Sequence, residues 1–255
     1  MEFNINYFSL KDKVAIITGA NMGLGLAYAE AFASLGAKLV VTYYAPELDD
    51  IKKVAAKYNV PLLLIKADLT KEADAENLVQ QTLKEFKRID ILVNNAGTIL
   101  RSPLLEYPND YWNKVMNINI NAVWVLSQKV ARVMVEQRSG KIINIASMLS
   151  YQGGKFVPAY TASKHAVAGL TKAFANELAQ YNVQCNAIAP GYIVTANTKD
   201  IRADEARNKE ILSRIPAGHW GETHELMGVV AFLASKASDY VNGSIIPVDG
   251  GWLAR

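Results

Sequence analysis

Short apolar runs rich in β-branched residues alternate with longer segments whose apolar residues recur about every 3.6 positions, and the alternation runs from residue 14 to residue 248. The runs at 14–18, 38–43, 61–66, 89–93, 141–146, 183–189 and 244–248 read as strands. The segments at 24–35, 47–58, 71–87, 109–137, 159–181 and 222–234 read as helices. Strand-helix alternation of this kind predicts an α/β fold: a seven-stranded, mostly parallel sheet covered by helices on both faces and doubly wound by right-handed crossovers, in the manner of a Rossmann fold. The 255 residues suit one such domain spanning 1–255, large enough to bury roughly 70 to 75% of its unfolded surface.

Composition narrows the partners. A formal charge of +3, dispersed along the chain, leaves no footprint for a nucleic acid. No apolar run approaches the ~18 residues of a membrane span, and the start MEFNINYFSLKDK lacks a basic stretch followed by an apolar core, so a soluble, cytoplasmic protein is expected. The single cysteine, Cys185, excludes an internal disulfide and falls in an apolar run, where a small buried side chain is expected rather than a nucleophile. His165, His219 and His224 have no metal-ligand spacing, and no metal is expected.

Two segments carry chemistry. The first predicted strand, VAIIT, runs directly into GANMGLG, with Gly19, Gly23 and Gly25, and then into a helical pattern. Glycines at a strand-to-helix turn let the backbone approach a pyrophosphate, whose charge is favoured by the free N–H groups at a helix start. A glycine trio alone also fits a plain tight turn; its place in the first βα unit of a repeated βα chain favours a nucleotide. In SMLSYQGGKFVPAYTASK, Tyr160 and Lys164 are four apart, so on a helix they share a face. An ammonium beside a phenol favours phenolate, and the Tyr160 pKa is expected to fall towards the range useful for proton transfer. Ser147 follows the apolar run ending at Ala146 and is expected at the carboxyl end of a strand, where open α/β sheets bind ligands. The Tyr-Lys spacing by itself fits a surface helix pair equally well.

Taken together, TGANMGLG, NNAG at 94–97, NIN at 117–119, Ser147, YTASK at 160–164 and PG at 190–191 resemble, in order and spacing, the short-chain dehydrogenase/reductases over essentially the whole chain. The resemblance implies an enzyme with a catalytic tetrad of Asn119, Ser147, Tyr160 and Lys164. Tyr160 would exchange a proton with the substrate oxygen and Ser147 would hold that oxygen. Lys164 would bind the nicotinamide ribose while lowering the phenol pKa, and Asn119 would bend its helix and anchor a water. It also implies dinucleotide contacts from Gly19, Asn21, Met22, Gly23, Leu24 and Gly25 in the glycine turn. Further contacts are implied from Tyr43 after the second strand, from Asp68 and Leu69, from Asn95, Ala96 and Gly97, and from Pro190, Gly191, Ile193 and Thr195, beside Tyr160 and Lys164 themselves. Members that select a 2′-phosphate carry a cation in the glycine turn or after the second strand; Met22, Tyr43 and Tyr44 stand there, so NAD is expected over NADP, although the Asp common in NAD-dependent relatives is also missing.

Longer strings, among them KIINIASMLSYQGG and NAIAPGYIVTANT, resemble a subgroup that interconverts the C5 hydroxyl of 2-dehydro-3-deoxy-D-gluconate and the corresponding ketone with NAD during uronate breakdown. The carboxylate of such a substrate calls for a guanidinium. Arg101 is the first choice and Arg202 the second, with Gln152 and Tyr192 as hydroxyl partners beside Ser147 and Tyr160. The mixed-charge stretch 198–214 follows the PG loop, so 192–220 is expected to form a substrate lid. The alternatives are oxidation of gluconate at C5, reduction of a 3-oxoacyl group, and an NAD(H)-sensing regulator without turnover. A homotetramer is expected from the family resemblance and from the apolar tail VDGGWLAR.

Overall fold

A computed structural model describes residues 4–255. Met1 to Phe3, part of the stretch read above as carrying no export signal, lie outside the described residues. Seven strands form one sheet: β1 (Val14–Thr18), β2 (Lys38–Tyr43), β3 (Leu62–Lys66), β4 (Ile91–Asn94), β5 (Gly140–Ile145), β6 (Val183–Pro190) and β7 (Ile245–Val248). Their order is β3-β2-β1-β4-β5-β6-β7 and every pairing is parallel. Among the described residues nine α-helices connect or follow them: α1 (Gly23–Ser34), α2 (Asp49–Tyr58), α3 (Glu72–Phe86), α4 (Asn109–Met116), α5 (Ala122–Gln137), α6 (Pro158–Leu178), α7 (Lys199–Ala203), α8 (Glu205–Arg214) and α9 (Met227–Ala234).

Burial on both faces explains why β1 and β6 read as unbroken apolar runs, since every residue of each is buried. Side chains nonetheless alternate between two cores with the strand period of two. Ala15, Ile17, Leu39, Val41, Ile91 and Val93 face Tyr28 and Phe32 of α1 and Leu233 of α9. Val14, Ile16, Val40 and Leu92 face Leu78 of α3 and Leu126 and Val130 of α5. Cys185 lies in this second core, as expected, and burial pushes its thiol pKa up.

Strand order decides where a ligand can go. The chain leaves β1 towards β2 on one side and arrives at β4 on the other, so the loops after β1 and β4 diverge and open a crevice at the carboxyl ends of the strands.

Two segments depart from the periodic reading. The helix expected over 109–137 is interrupted by one π-helical turn, Asn117–Asn121, between α4 and α5. The expected 222–234 helix begins as a 3₁₀ turn at Thr223–Leu226 before α9. Among the described residues no helix is long and apolar enough to cross a membrane, and no group of His, Cys, Asp and Glu could hold a metal ion.

Candidate active site

The crevice is a continuous cleft of about 1190 Å³, running from the glycine turn to α8 and Trp252. Single-ligand pockets span roughly 300–1,000 Å³, so this one has room for two ligands end to end.

Its first end is built by the turn after β1. Gly19 sits at φ +62°, a conformation that side chains disfavour. Thr18 ties the turn to the strand-β4 loop: its hydroxyl accepts from the backbone N–H groups of Asn95 and Ala96, both at 2.9 Å. The Asn95 amide donates back to the carbonyls of Thr18 at 2.8 Å and Gly19 at 3.1 Å. Gly25 does not line the cleft; a Cβ there would fall 2.5 Å from the Gly19 carbonyl oxygen and 2.6 Å from the Asn95 amide nitrogen. Its role is to let α1 close against the turn. Met22 precedes α1 without a side-chain cap, so the first N–H groups of the helix keep their affinity for an anion.

Beyond the turn, Thr42, Tyr43, Tyr44 and Ala45 form one wall and Asp68, Leu69 and Thr70 another. Asp68 accepts from the Thr70 hydroxyl at 2.6 Å, and that bond first, then the Thr70 backbone N–H and the Lys71 charge, hold its carboxyl below the ordinary range. No lysine or arginine is contributed by 19–24 or 42–45.

At the centre stand Ser147, Tyr160 and Lys164. Ser147 is two residues past the end of β5, and its hydroxyl caps the short turn that follows by accepting from Leu149 N–H at 3.1 Å. Lys164 is buried, and its ammonium donates to the Ile145 carbonyl at 2.6 Å, so α6 is pinned to the tip of β5. The ammonium lies 5.4 Å from the centroid of the Tyr160 ring. The pair does share a helix face, but the expected fall in the phenol pKa is not what this arrangement produces. Burial pushes the Tyr160 phenol up, only partly opposed by its hydrogen bond with Ser147 and the charge of Arg101, while burial pushes Lys164 down to about 8. The physical reason is desolvation, which disfavours the charged form of each group, phenolate and ammonium alike.

Asn119 is also outside the cleft lining. It is buried in the middle of the π-helical turn, where its amide accepts from Thr98 N–H at 2.8 Å and donates to Thr98 C=O at 2.9 Å and to the Ser163 hydroxyl at 3.1 Å. One side chain thus joins the α4–α5 kink, the strand-β4 loop and the helix that bears Tyr160.

Gln152, Tyr192 and Arg101 line the far end. Arg101 is exposed and donates to the Asn197 carbonyl at 3.3 Å, linking the loops after β4 and β6. Arg202 is different. Its guanidinium turns back to Thr195 O at 3.3 Å and Thr198 Oγ1 at 3.4 Å, and it does not line the cleft. Arg202 lies on α7 four residues beyond Thr198, and helical side chains lean back towards the helix start, so its guanidinium reaches that end; Asp204 then ends α7 and caps α8 through Arg207 N–H. Instead, Arg207, Glu210 and Arg214 of α8 line this end, together with Lys155 and Trp252. The three α8 residues are spaced i, i+3, i+7 and so share one helix face, a signal present in the sequence; Trp252, from the opposite end of the chain, leaves none. Pro190, Gly191, Ile193 and Thr195 line the cleft between the two ends.

The chain is similar in sequence and fold to known proteins. The sequence model of the family described as Enoyl-(Acyl carrier protein) reductase matches residues 19–253. A 2-dehydro-3-deoxy-D-gluconate 5-dehydrogenase of Bacillus subtilis (strain 168) is 50% identical over 248 residues, covering 97% of each chain. The enzyme of the same name from Dickeya dadantii (strain 3937) is 51% identical over 252 residues, 98% of this chain and 99% of that one. A crystal structure of a gluconate 5-dehydrogenase from Burkholderia cenocepacia J2315, in complex with NADP and tartrate, superposes with a TM-score of 0.94 at 35% identity, covering 98% of both chains. With a glycine-turn cleft, a Ser-Tyr-Lys centre and relatives of this similarity over nearly its full length, the chain belongs to the short-chain dehydrogenase/reductase family of oxidoreductases.

Proposed function

We propose that this chain interconverts 2-dehydro-3-deoxy-D-gluconate and 3-deoxy-D-glycero-2,5-hexodiulosonate, oxidising or reducing C5, with NAD. The observation that carries the reading is the juxtaposition of Ser147, Tyr160 and Lys164 midway along a cleft with one glycine-walled end and one arginine-walled end. Relatives of about half identity bear the name of that activity.

The chain's residues fit a dinucleotide. The uncapped start of α1 and the close glycine turn suit a pyrophosphate, the walls at Tyr43 and Asp68 suit an adenosine, and Lys164 suits the hydroxyls of the second ribose. Bound there, the nicotinamide supplies the two-electron acceptor or donor for C5. Tyr160 takes the C5 hydroxyl proton in oxidation and returns it in reduction, and Ser147, beside Tyr160 in the cleft, holds the reacting oxygen. Asn119 positions Thr98 and α6 from behind. The preference for NAD rests on charge: a 2′-phosphate would meet Met22, Tyr43, Tyr44 and Ala45 without a cation to pair it. The Burkholderia relative holds NADP, as do two further solved relatives at 44% and 45% identity.

The segment 192–220 serves as a lid, since α7 and α8 lie within it and contribute Ile201, Arg207, Glu210 and Arg214 to the cleft wall. A homotetramer in the cytoplasm completes the reading; Tyr111, Trp112 and Trp124 on α4 and α5 are large apolar side chains left more than a third exposed, as an oligomer face would be.

A second reading, oxidation of gluconate at C5, is favoured by the same Burkholderia relative. Steady-state assays with 2-dehydro-3-deoxy-D-gluconate and gluconate, each with NAD and NADP, decide between them. The expected result is the highest kcat/KM with the 2-keto acid and NAD. A higher value with gluconate replaces the first reading by the second, and a higher value with NADP overturns the cofactor choice.

A further inference from the structure

The substrate end of the cleft is lined by four cations, Arg101, Lys155, Arg207 and Arg214, and by one carboxylate, Glu210. This end therefore carries an excess of positive charge, as a chamber for an acid requires. The cations are not equally available. Arg214 stacks its guanidinium 4.1 Å from the centroid of Trp252, and Arg101 is tied to the Asn197 carbonyl. Arg207 is different, because its partner is a carboxylate one turn away on the same helix: its Nη1 donates to Glu210 Oε2. Both side chains are partly exposed, at 34% and 51%, and an ion pair of that kind is weak.

Arg207 also stands beside the reacting chamber. The Tyr192 ring packs edge-on against Trp220 at 5.2 Å and Trp252 at 4.9 Å. Tyr192 and Tyr160 both pack against one apolar cluster with Met148, Leu149 and Ile211, the last from α8 itself. The charge of Arg207 bears on the Tyr192 phenol more strongly than that of Arg214 or Arg101.

We propose that Arg207 takes the carboxylate of the acidic substrate, and that Glu210 is a built-in stand-in which the substrate carboxylate displaces. The fork that now holds an exposed carboxylate on its own helix would hold a desolvated one across the chamber, with Arg101 facing it from the strand-β4 loop. The exchange draws α8 towards the substrate and gives the lid a reason to close only over an acid. The inference rests on the sugar-acid reading above and names the residue that would read the acid.

The test compares 2-dehydro-3-deoxy-D-gluconate with its neutral counterpart, in which a hydroxymethyl group replaces the carboxylate. Wild type, Arg207→Gln, Arg207→Lys and Glu210→Gln are assayed, with NADH titration as the check on folding. The expected result is that R207Q raises KM for the acid about 30-fold or more while kcat/KM for the neutral compound and NADH affinity stay put. R207K should recover part of the loss, because an ammonium keeps the charge but not the fork. E210Q should lower KM for the acid, having removed the competitor. If wild type prefers the acid and R207Q keeps that preference, or loses both substrates equally, the proposal is overturned while the sugar-acid reading stands. If E210Q raises KM for the acid, Glu210 orients Arg207 rather than competing for it, and the exchange is overturned. If wild type does not distinguish the two compounds, the sugar-acid reading falls and takes the proposal with it.

Discussion

The Lys164 ammonium donates to the carbonyl of Ile145, the last residue of β5, at 2.6 Å, and so fixes the helix that bears Tyr160 to the strand that leads to Ser147. Burial holds its pKa down at about 8, from an ordinary 10.5. Between those values the unfolded chain binds a proton that the folded chain lacks, so stability rises with pH across that window, by roughly 3 kcal/mol in all. Lys164→Met removes this slope. Urea titrations of ligand-free wild type and K164M at pH 7.5 and pH 10 should show the balance moving towards wild type at the higher pH. An equal gap at both pH values would mean that the ammonium is not desolvated.

Proton transfer by Tyr160 has a direction in pH. Oxidation of an alcohol needs the phenolate and reduction of a ketone needs the phenol. Because burial raises this pKa, oxidation should climb with pH on the alkaline side and reduction should decline there. Arg101→Gln removes one of the two influences that lower it, so both limbs should move to higher pH. Tyr160→Phe should keep NADH affinity and lose turnover by about 10²-fold or more. Profiles of kcat/KM in both directions for the three proteins are the measurement, and an unmoved profile in R101Q would remove Arg101 from the phenol's surroundings.

Gly25→Ala should weaken dinucleotide binding about tenfold or more, although residue 25 touches no part of the cleft. The added carbon would stand 2.5 Å from the Gly19 carbonyl oxygen and 2.6 Å from the Asn95 amide, and neither can yield without opening the turn. Fluorescence titration with NADH reads the change. Wild-type affinity in G25A would show that the turn and α1 can separate freely.

Asn119→Ala leaves Thr98 without its two side-chain partners and is expected to cost about 1–3 kcal/mol of stability. Turnover should fall as well, because Thr98 lines the cleft and Ser163 of α6 loses a donor. Denaturation midpoints and amide exchange at Thr98 check the first point, initial rates the second. If stability falls and turnover does not, Asn119 serves the kink alone.

Much of the site was legible in the amino-acid order because its chemistry is local. Gly19 to Gly25 span one turn and the first residues of α1, and Tyr160 and Lys164 lie one helical turn apart, so spacing carried their relationship. The helix break at Asn117–Asn121 was not legible from periodicity, since a π turn inserts a residue without disturbing apolar spacing on either side. That Arg202 turns away from the cleft was not legible either, since α7 and α8 are two short helices separated at Asp204 and only their packing decides which one faces inward.

What the chain's order determines, then, is the run of alternating strands and helices, the parallel sheet, and the groups that are neighbours along the backbone, because each of these follows from periodicities of two and 3.6. Only the tertiary structure decided the protonation balance of Tyr160 and Lys164, since desolvation depends on what packs around them. It likewise decided which arginines line the far end of the cleft: that depends on how 101, 207, 214 and 252, scattered over half the chain, are brought together.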